Sequence, residues 1–248
     1  MKAATAAFRF RVFIFPLLYL LGFLPPWEWS SGNRSHDTLW LAASTLFARG
    51  GWIGLTAATA TVTSIALACL AMGAIWRVWG IAYIGWGVMR DPAMPARRFV
   101  SAGPYRYVRN PLYLGSWLLA VGVSILMPPS GAGFFLLAFS VFVLFLISAE
   151  ERFFSAKLGD VYQQYRRRVP RLLPRVGAGD GAWGGRPNWV QAIFAETYPL
   201  AFTLCFAIFA WRYNAHVLIQ CLLICYGFSL VMRAFAAPAA IESSGFVS

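Results

Sequence analysis

An all-α, polytopic transmembrane helical bundle of about six spans is the fold class this sequence predicts, on three observations. Of its 248 residues, 59% are hydrophobic and only 12% charged, about half the charged fraction of a typical soluble domain. The apolar residues gather into six runs that reach, or nearly reach, the ~30 Å of a hydrocarbon core. Finally, 18 of the 21 lysines and arginines fall in segments that alternate spans place on one side. The formal net charge of +12 therefore calls for no nucleic acid partner, since a surplus of basic residues in cytoplasmic loops gives the same total.

The first run, Phe10 to Leu24, follows Lys2, Arg9 and Arg11 and stops at Pro25-Pro26-Trp27-Glu28-Trp29. No small-residue cleavage site follows it, so it reads as a short, uncleaved span rather than a signal peptide. Residues 30–50 are polar, then mildly amphipathic from Thr38 to Phe47, which suits the interface. Gly51 to Trp76 is the longest run, and its many small residues let neighbouring helices approach closely. Arg77 to Val100 reads as a mixed connection, with Tyr83 and Trp86 at the interface and Asp91-Pro92 breaking any helix.

Pro111 to Leu126 and Phe134 to Ala149 form a third and fourth span, joined by the tight hairpin MPPSGAG. Each run reaches only about 24 Å at about 1.5 Å per residue, so this hairpin stands nearly upright, thins the bilayer or stops short of the far side. Residues 150–190 are polar, basic and then glycine-rich. Two further spans, Trp189 to Trp211 and Val217 to Met232, complete the chain, and no internal repeat is visible. The positive-inside rule puts both termini and the two basic loops in the cytoplasm.

That orientation brings two chemically rich stretches to one membrane face. The first, FVSAGPYRYVRNPLYLG from Phe99 to Gly115, has a Gly103-Pro104 turn, alternating tyrosines and arginines, and Asn110-Pro111 as a helix start. Asn is a favoured N-cap and Pro a favoured first helical residue. The resulting helix N-terminus suits an anion such as a carboxylate or phosphate; the alternative is a membrane-entry turn with an aromatic belt and basic anchors. The second stretch opens with Glu150-Glu151 at the cytoplasmic end of the fourth span. Boundary carboxylates are often functional, while a solvated helix end paired with Arg152 or the Arg166–Arg168 run is the plainer reading. Beyond the acids, Tyr162 and Tyr165 share a helix face.

Cys69, Cys205, Cys221 and Cys225 all lie in apolar runs, without a CxxC pair or a neighbouring histidine. They read as buried structural thiols. With only His36 and His216 in the chain, no metal centre is expected.

The combination GPYRYVRNPLYLG, helical hairpin, EERFF…LGDVYQQYRRRVPRLLP resembles the isoprenylcysteine carboxyl methyltransferase and phospholipid methyltransferase group of membrane enzymes, over about residues 77–175. The resemblance implies a cofactor pocket for S-adenosylmethionine at the cytoplasmic face. It divides the chain into N-terminal spans (1–76), a methyltransferase-like core (77–175) and a glycine-rich connection with two C-terminal spans (176–248). Arg97, Arg98, Phe99 and Val100 match the strand-like approach to the cofactor, and Tyr105 the aromatic after the glycine. Asn110, Pro111, Leu112 and Tyr113 match a His-Pro-x-Tyr element, with Asn110 where many members carry His. Glu150 matches a cofactor-contacting acid. Glu151, Tyr165 and Arg168 are the candidates for the substrate side. Leu146 stands where prenylcysteine-processing members carry an arginine, which argues against a prenylated cysteine as acceptor.

The expected reaction is in-line attack on the sulfonium methyl by a carboxylate or amine of a lipid, lipid-like or prenylated small molecule. It needs no catalytic base and no metal, and membrane lipids are the other expected partners. Glu196, just inside the fifth span, is either a substrate contact or an interfacial acid that snorkels to the headgroups. The rival readings are an NADPH-dependent membrane reductase of the steroid-reductase type and a non-enzymatic scaffold or transport subunit.

Overall fold

The computed structural model describes residues 2–27, 37–51, 53–85, 99–177 and 186–235, and among these it is all-helical. Helix α1 (Lys2–Phe23) begins well before the predicted Phe10. Helix α2 (Leu39–Arg49) follows Thr38, whose Oγ1 accepts from the Leu41 N–H at 3.4 Å. Two of the free N–H groups of this helix are met from elsewhere: Leu39 donates to the Met127 carbonyl and Trp40 to that of Ile125.

Helix α3 (Leu55–Ile84) corrects the sequence reading at Arg77. The predicted span stops at Trp76 because a charge follows, yet the helix runs unbroken for 30 residues, or about 45 Å. It lies against α4 (Pro111–Ser124) along a seam of small residues. At Gly73, an added Cβ would stand 2.7 Å from the carbonyl oxygen of Gly115, so the helix backbones meet without intervening side chains.

Helix α5 (Pro129–Leu158) is also longer than the predicted Phe134 to Ala149, again 30 residues. The hairpin glycines belong to its first turns, where Gly131 sits against the carbonyl of Gly22 on α1. At its other end the helix runs through Glu150 and Glu151 and stops at Gly159, whose φ of +53° favours glycine. Helix α6 (Asp160–Arg168) turns off there, with Asp160 in its first turn and Arg166–Arg168 in its last, the placement that complements a helix dipole.

The predicted fifth span is broken. Helices α7 (Trp189–Ala195) and α8 (Thr197–Arg212) meet at a bend of 67° centred on Glu196. Pro199 accounts for the restart, since proline is tolerated only in the first turn of a helix. Helix α9 (Ala215–Phe235) completes the described chain, with Asn214 Oδ1 accepting from the N–H of His216 and Val217. Cys205 and Cys225 approach as free thiols, Sγ to Sγ 3.3 Å.

Among the described residues, α3 and α5 are each long and apolar enough to cross a membrane, and the α7–α8 pair makes a third if it is one span. Shorter apolar helices occur in α1, α4 and α9. Large side chains such as Leu137, Val141, Ile65 and Ile75 point outward and exposed, as hydrocarbon contact requires and water does not favour. Inside, Leu70, Phe135, Phe139, Ile147 and Phe206 form one core of α3, α5 and α8. This is the construction of an integral membrane protein.

Candidate active site

Two main-chain hydrogen bonds draw the chemically rich stretches together. Arg109 N–H donates to the Pro170 carbonyl at 2.9 Å, and Arg175 N–H to that of Tyr107 at 3.0 Å. The loop before α4 is thus fastened to the segment after α6. Gly103, at φ +61°, opens a short 3₁₀ turn (Gly103–Arg106) and lies flat on the Tyr83 ring, leaving no room for a Cβ. Tyr165 Oη closes the arrangement by donating to the Tyr105 carbonyl at 2.8 Å.

Asn110 does not cap α4 through its side chain, which corrects the expectation. A tertiary competitor takes the amide: Nδ2 donates to the Arg171 carbonyl at 3.1 Å and toward Glu151 Oε1 at 3.4 Å. Glu151 is buried and works as an ion-pair hub rather than a solvated helix end. Arg171 Nη2 meets its Oε2 at 2.9 Å and Arg109 Nη2 its Oε1 at 3.2 Å. These two partners, Arg109 and Arg171, are not the ones named from sequence. Its neighbour Glu150 is held differently, accepting from Tyr113 Oη at 2.9 Å.

These groups line a cavity of about 580 Å3, a volume typical of small-molecule sites. Phe99, Val100, Tyr105, Asn110, Pro111, Leu112, Tyr113, Glu150, Glu151 and Tyr165 all face it. Arg168 sits on the exposed side of α6, and Arg97 and Arg98 lie outside the described residues. Four aromatic rings cluster at the mouth: Phe99 meets Tyr165 and Tyr162 edge-on at 5.1 Å and 5.9 Å, and Phe154 stacks on Tyr162 at 5.5 Å between centroids. Burial, reinforced for Tyr105 by Glu150 and for Tyr162 by Glu151, holds the hydroxyls of Tyr105, Tyr162 and Tyr165 well above the usual tyrosine range. They remain donors at any physiological pH.

Two buried donors have no partner among the described residues: Tyr105 Oη and Arg109 Nε. An unmet buried donor is costly, and both residues line the cavity, so a ligand carrying acceptor oxygens fits there. Further in, Phe15, Leu119, Phe139 and Leu146 make the walls apolar.

Sequence reasoning passed over several lining residues. Arg11, Phe15 and Tyr19 come from α1, and Phe154 and Tyr162 from the mouth; of these only Tyr162 carried a local signal, its spacing from Tyr165. Arg77 and Glu196 also line the cavity, and the burial of Glu196 rules out the interfacial, snorkelling reading. Glu196 is 2% exposed and receives Arg77 Nε on Oε2 at 2.6 Å and Nη2 on Oε1 at 2.8 Å. Arg77 Nη1 also donates to Ser116 Oγ at 2.6 Å.

An apolar helical bundle with a cavity lined by arginines, glutamates and tyrosines defines an integral membrane protein with room for a small molecule. Residues 44–161 match the model of the phospholipid methyltransferase family, so the resemblance read from the motifs is shown over that stretch. The chain is 45% identical over 74 residues to methanethiol S-methyltransferase 2 of Bradyrhizobium diazoefficiens, covering 30% of this chain and 28% of that protein. It is 36% identical over 81 residues to the protein-S-isoprenylcysteine O-methyltransferase of Schizosaccharomyces pombe, covering 31% and 33%. A longer match, 25% over 158 residues, covers 62% of this chain and 69% of a cobalt-zinc-cadmium resistance protein of Cupriavidus metallidurans. No solved structure matches.

Proposed function

We propose that the protein is an S-adenosylmethionine-dependent methyltransferase acting on a lipid or lipid-like acceptor, with its cavity, both basic loops and both termini on the cytoplasmic side. One observation carries the reading: a carboxylate held by a tyrosine, Glu150, shares a cavity with the unmet donors Tyr105 Oη and Arg109 Nε. A zwitterionic ligand needs this pairing. Glu150 suits an ammonium or a ribose hydroxyl, and the two donors suit a carboxylate. The aromatic rings of Phe99, Phe154, Tyr162 and Tyr165 supply stacking faces and cation–π stabilisation for a positively charged centre.

When bound, the cofactor supplies an electrophilic methyl on a sulfonium sulfur. The chain supplies position. Its apolar walls exclude water and admit an acceptor from the bilayer, so rate comes from proximity and alignment. The acceptor atom is a carboxylate oxygen, an amine nitrogen or, as the names of the similar methyltransferases suggest, a thiol sulfur. The division of the chain into N-terminal spans, core (77–175) and C-terminal spans belongs to this proposal.

The test is calorimetric titration of S-adenosylhomocysteine into detergent-solubilised protein, beside Glu150→Ala and Tyr105→Phe. Saturable binding, abolished in the first variant and weakened in the second, supports the reading. Absence of binding to the wild type, with NADPH bound in the same buffer, replaces it with the reductase.

A further inference from the structure

The Arg77–Glu196 pair lies at the end of the cavity remote from the mouth. Ser116, which Arg77 holds, is six residues into the bilayer from Asn110, or about 9 Å along α4. Tyr19, which contacts Phe139 at that level with centroids 6.5 Å apart, is eight residues beyond Arg11, or about 12 Å along α1. Tyr198 and Pro199 of α8 and Ala195 of α7 also reach this end. A segment outside the family-matched stretch therefore completes the cavity where an apolar acceptor must lie.

The charges of the lining balance. Arg11, Arg77 and Arg109 face the cavity together with Glu150, Glu151 and Glu196. Arg109 is engaged by Glu151, and Arg11 lines the same cavity as Glu150. At the deep end Arg77 is the cation, and both oxygens of Glu196 neutralise it. Beside it stand Phe15, Leu119, Phe139 and Leu146, which offer an anion nothing.

Resting on the methyltransferase reading and narrowing its acceptors to a neutral amine or thiol, we propose that Glu196 is a positioning residue that sets acceptor specificity: by neutralising Arg77 it makes the deep end a site for an uncharged apolar acceptor and turns away carboxylates. Without Glu196, the same guanidinium would recruit an anionic head. Selectivity here comes from a cation already satisfied within the protein, as much as from shape.

The experiment uses full-length protein in zwitterionic lipid nanodiscs, saturated with S-adenosylhomocysteine, and measures binding of octanamide against octanoate, two probes of equal length differing in charge. The wild type is expected to prefer octanamide. In Glu196→Gln the ratio should move toward octanoate by about tenfold or more, the scale on which a buried polar mismatch discriminates. The double variant R77M/E196M, which removes both charges, should keep the wild-type preference and still bind S-adenosylhomocysteine, since Glu150 and Glu151 and their partners are left in place. A wild-type preference for octanoate, an unchanged ratio in Glu196→Gln, or a double variant that shifts toward octanoate overturns the proposal. So does loss of S-adenosylhomocysteine binding in the folded double variant, which would assign the pair to the cofactor end. If Glu196→Gln does not fold, the double variant decides alone. Wild type that binds no S-adenosylhomocysteine sinks the methyltransferase reading itself, whereas binding with an unmoved ratio sinks only the role of Glu196.

Discussion

At the mouth of the cavity Glu151 shares its carboxylate among Arg109, Arg171 and Asn110, whereas at the deep end Glu196 gives both oxygens to Arg77. The first arrangement is a network that pins three segments (the start of α4, the end of α5 and the chain after α6) into one rim. The second is a single bidentate contact between α3 and the break in the α7–α8 pair. Between them Glu150 is committed to a tyrosine alone among its side-chain hydrogen bonds. Three acids thus divide the labour: buried Glu151 builds the rim, buried Glu196 closes the far end, and half-buried Glu150 faces the cavity on a tyrosine. Adjacency in sequence is a poor guide here, since Glu150 and Glu151 differ more in surroundings than Glu151 and Glu196 do.

The contrast can be broken most forcefully at the hub. Glu151→Ala leaves Arg109 and Arg171 facing each other without their shared anion, and removing one side of a buried pair costs about 3 kcal/mol or more. Thermal unfolding in detergent should show a large loss of stability, together with loss of ligand binding as the rim loosens. A variant as stable as wild type would mean that the network is ornamental. Glu150→Gln should do the reverse. The amide oxygen keeps the Tyr113 hydrogen bond, so stability should hold, while S-adenosylhomocysteine affinity falls by roughly tenfold to a hundredfold, as expected for a lost charge-assisted hydrogen bond. If stability and affinity fall together, the division of labour between the two acids is wrong.

A smaller effect is expected at the turn that shapes the rim. Gly103→Ala forces a Cβ into left-handed backbone at about 1–2 kcal/mol and against the Tyr83 ring, which must shift. The unfolding midpoint should drop modestly, with affinity falling more than stability. Smallest of all is Arg168→Ala. Its side chain is exposed on α6, and surface changes of this kind stay within about 0.5 kcal/mol. Turnover should be unchanged, and a clear loss would give Arg168 the substrate-side role that the resemblance implies.

The sequence located the helices and the rim better than it located their ends. Hydropathy stops at Arg77 and at Glu150, but the helical hydrogen bonds do not, because each charge finds a partner inside the fold. Ala149 and Trp76 are therefore ends of apolarity and not of structure. Tyr105, Tyr113 and Glu150 were legible because the GPYRYVRNPLYLG and EERFF stretches carry them in one local pattern. The role of Asn110 was misjudged for the opposite reason: a local capping preference of about 1 kcal/mol lost to the Arg171 carbonyl, 61 residues away. Glu196 was beyond reach from sequence altogether, since its partner is 119 residues earlier and no spacing rule connects them. The bend at Glu196 does have a local signal, Pro199 in the first turn of α8.

The distance between Arg77 and Glu196 in the chain also orders events during biosynthesis. Helix α3 enters the membrane carrying a guanidinium whose counter-charge has yet to be made. Placing an arginine in a spanning helix costs up to about 2.5–3.5 kcal/mol at the centre, less toward an end, and the thirty apolar-rich residues of α3 can carry that cost for a time. Relief comes only when the ribosome has added the α7–α8 elbow and Glu196 folds back onto α3. A nascent chain halted before Trp189 should therefore insert but keep an open, positively charged groove. Assembly of the cavity is then a late event, completed only once α7 and α8 have been made.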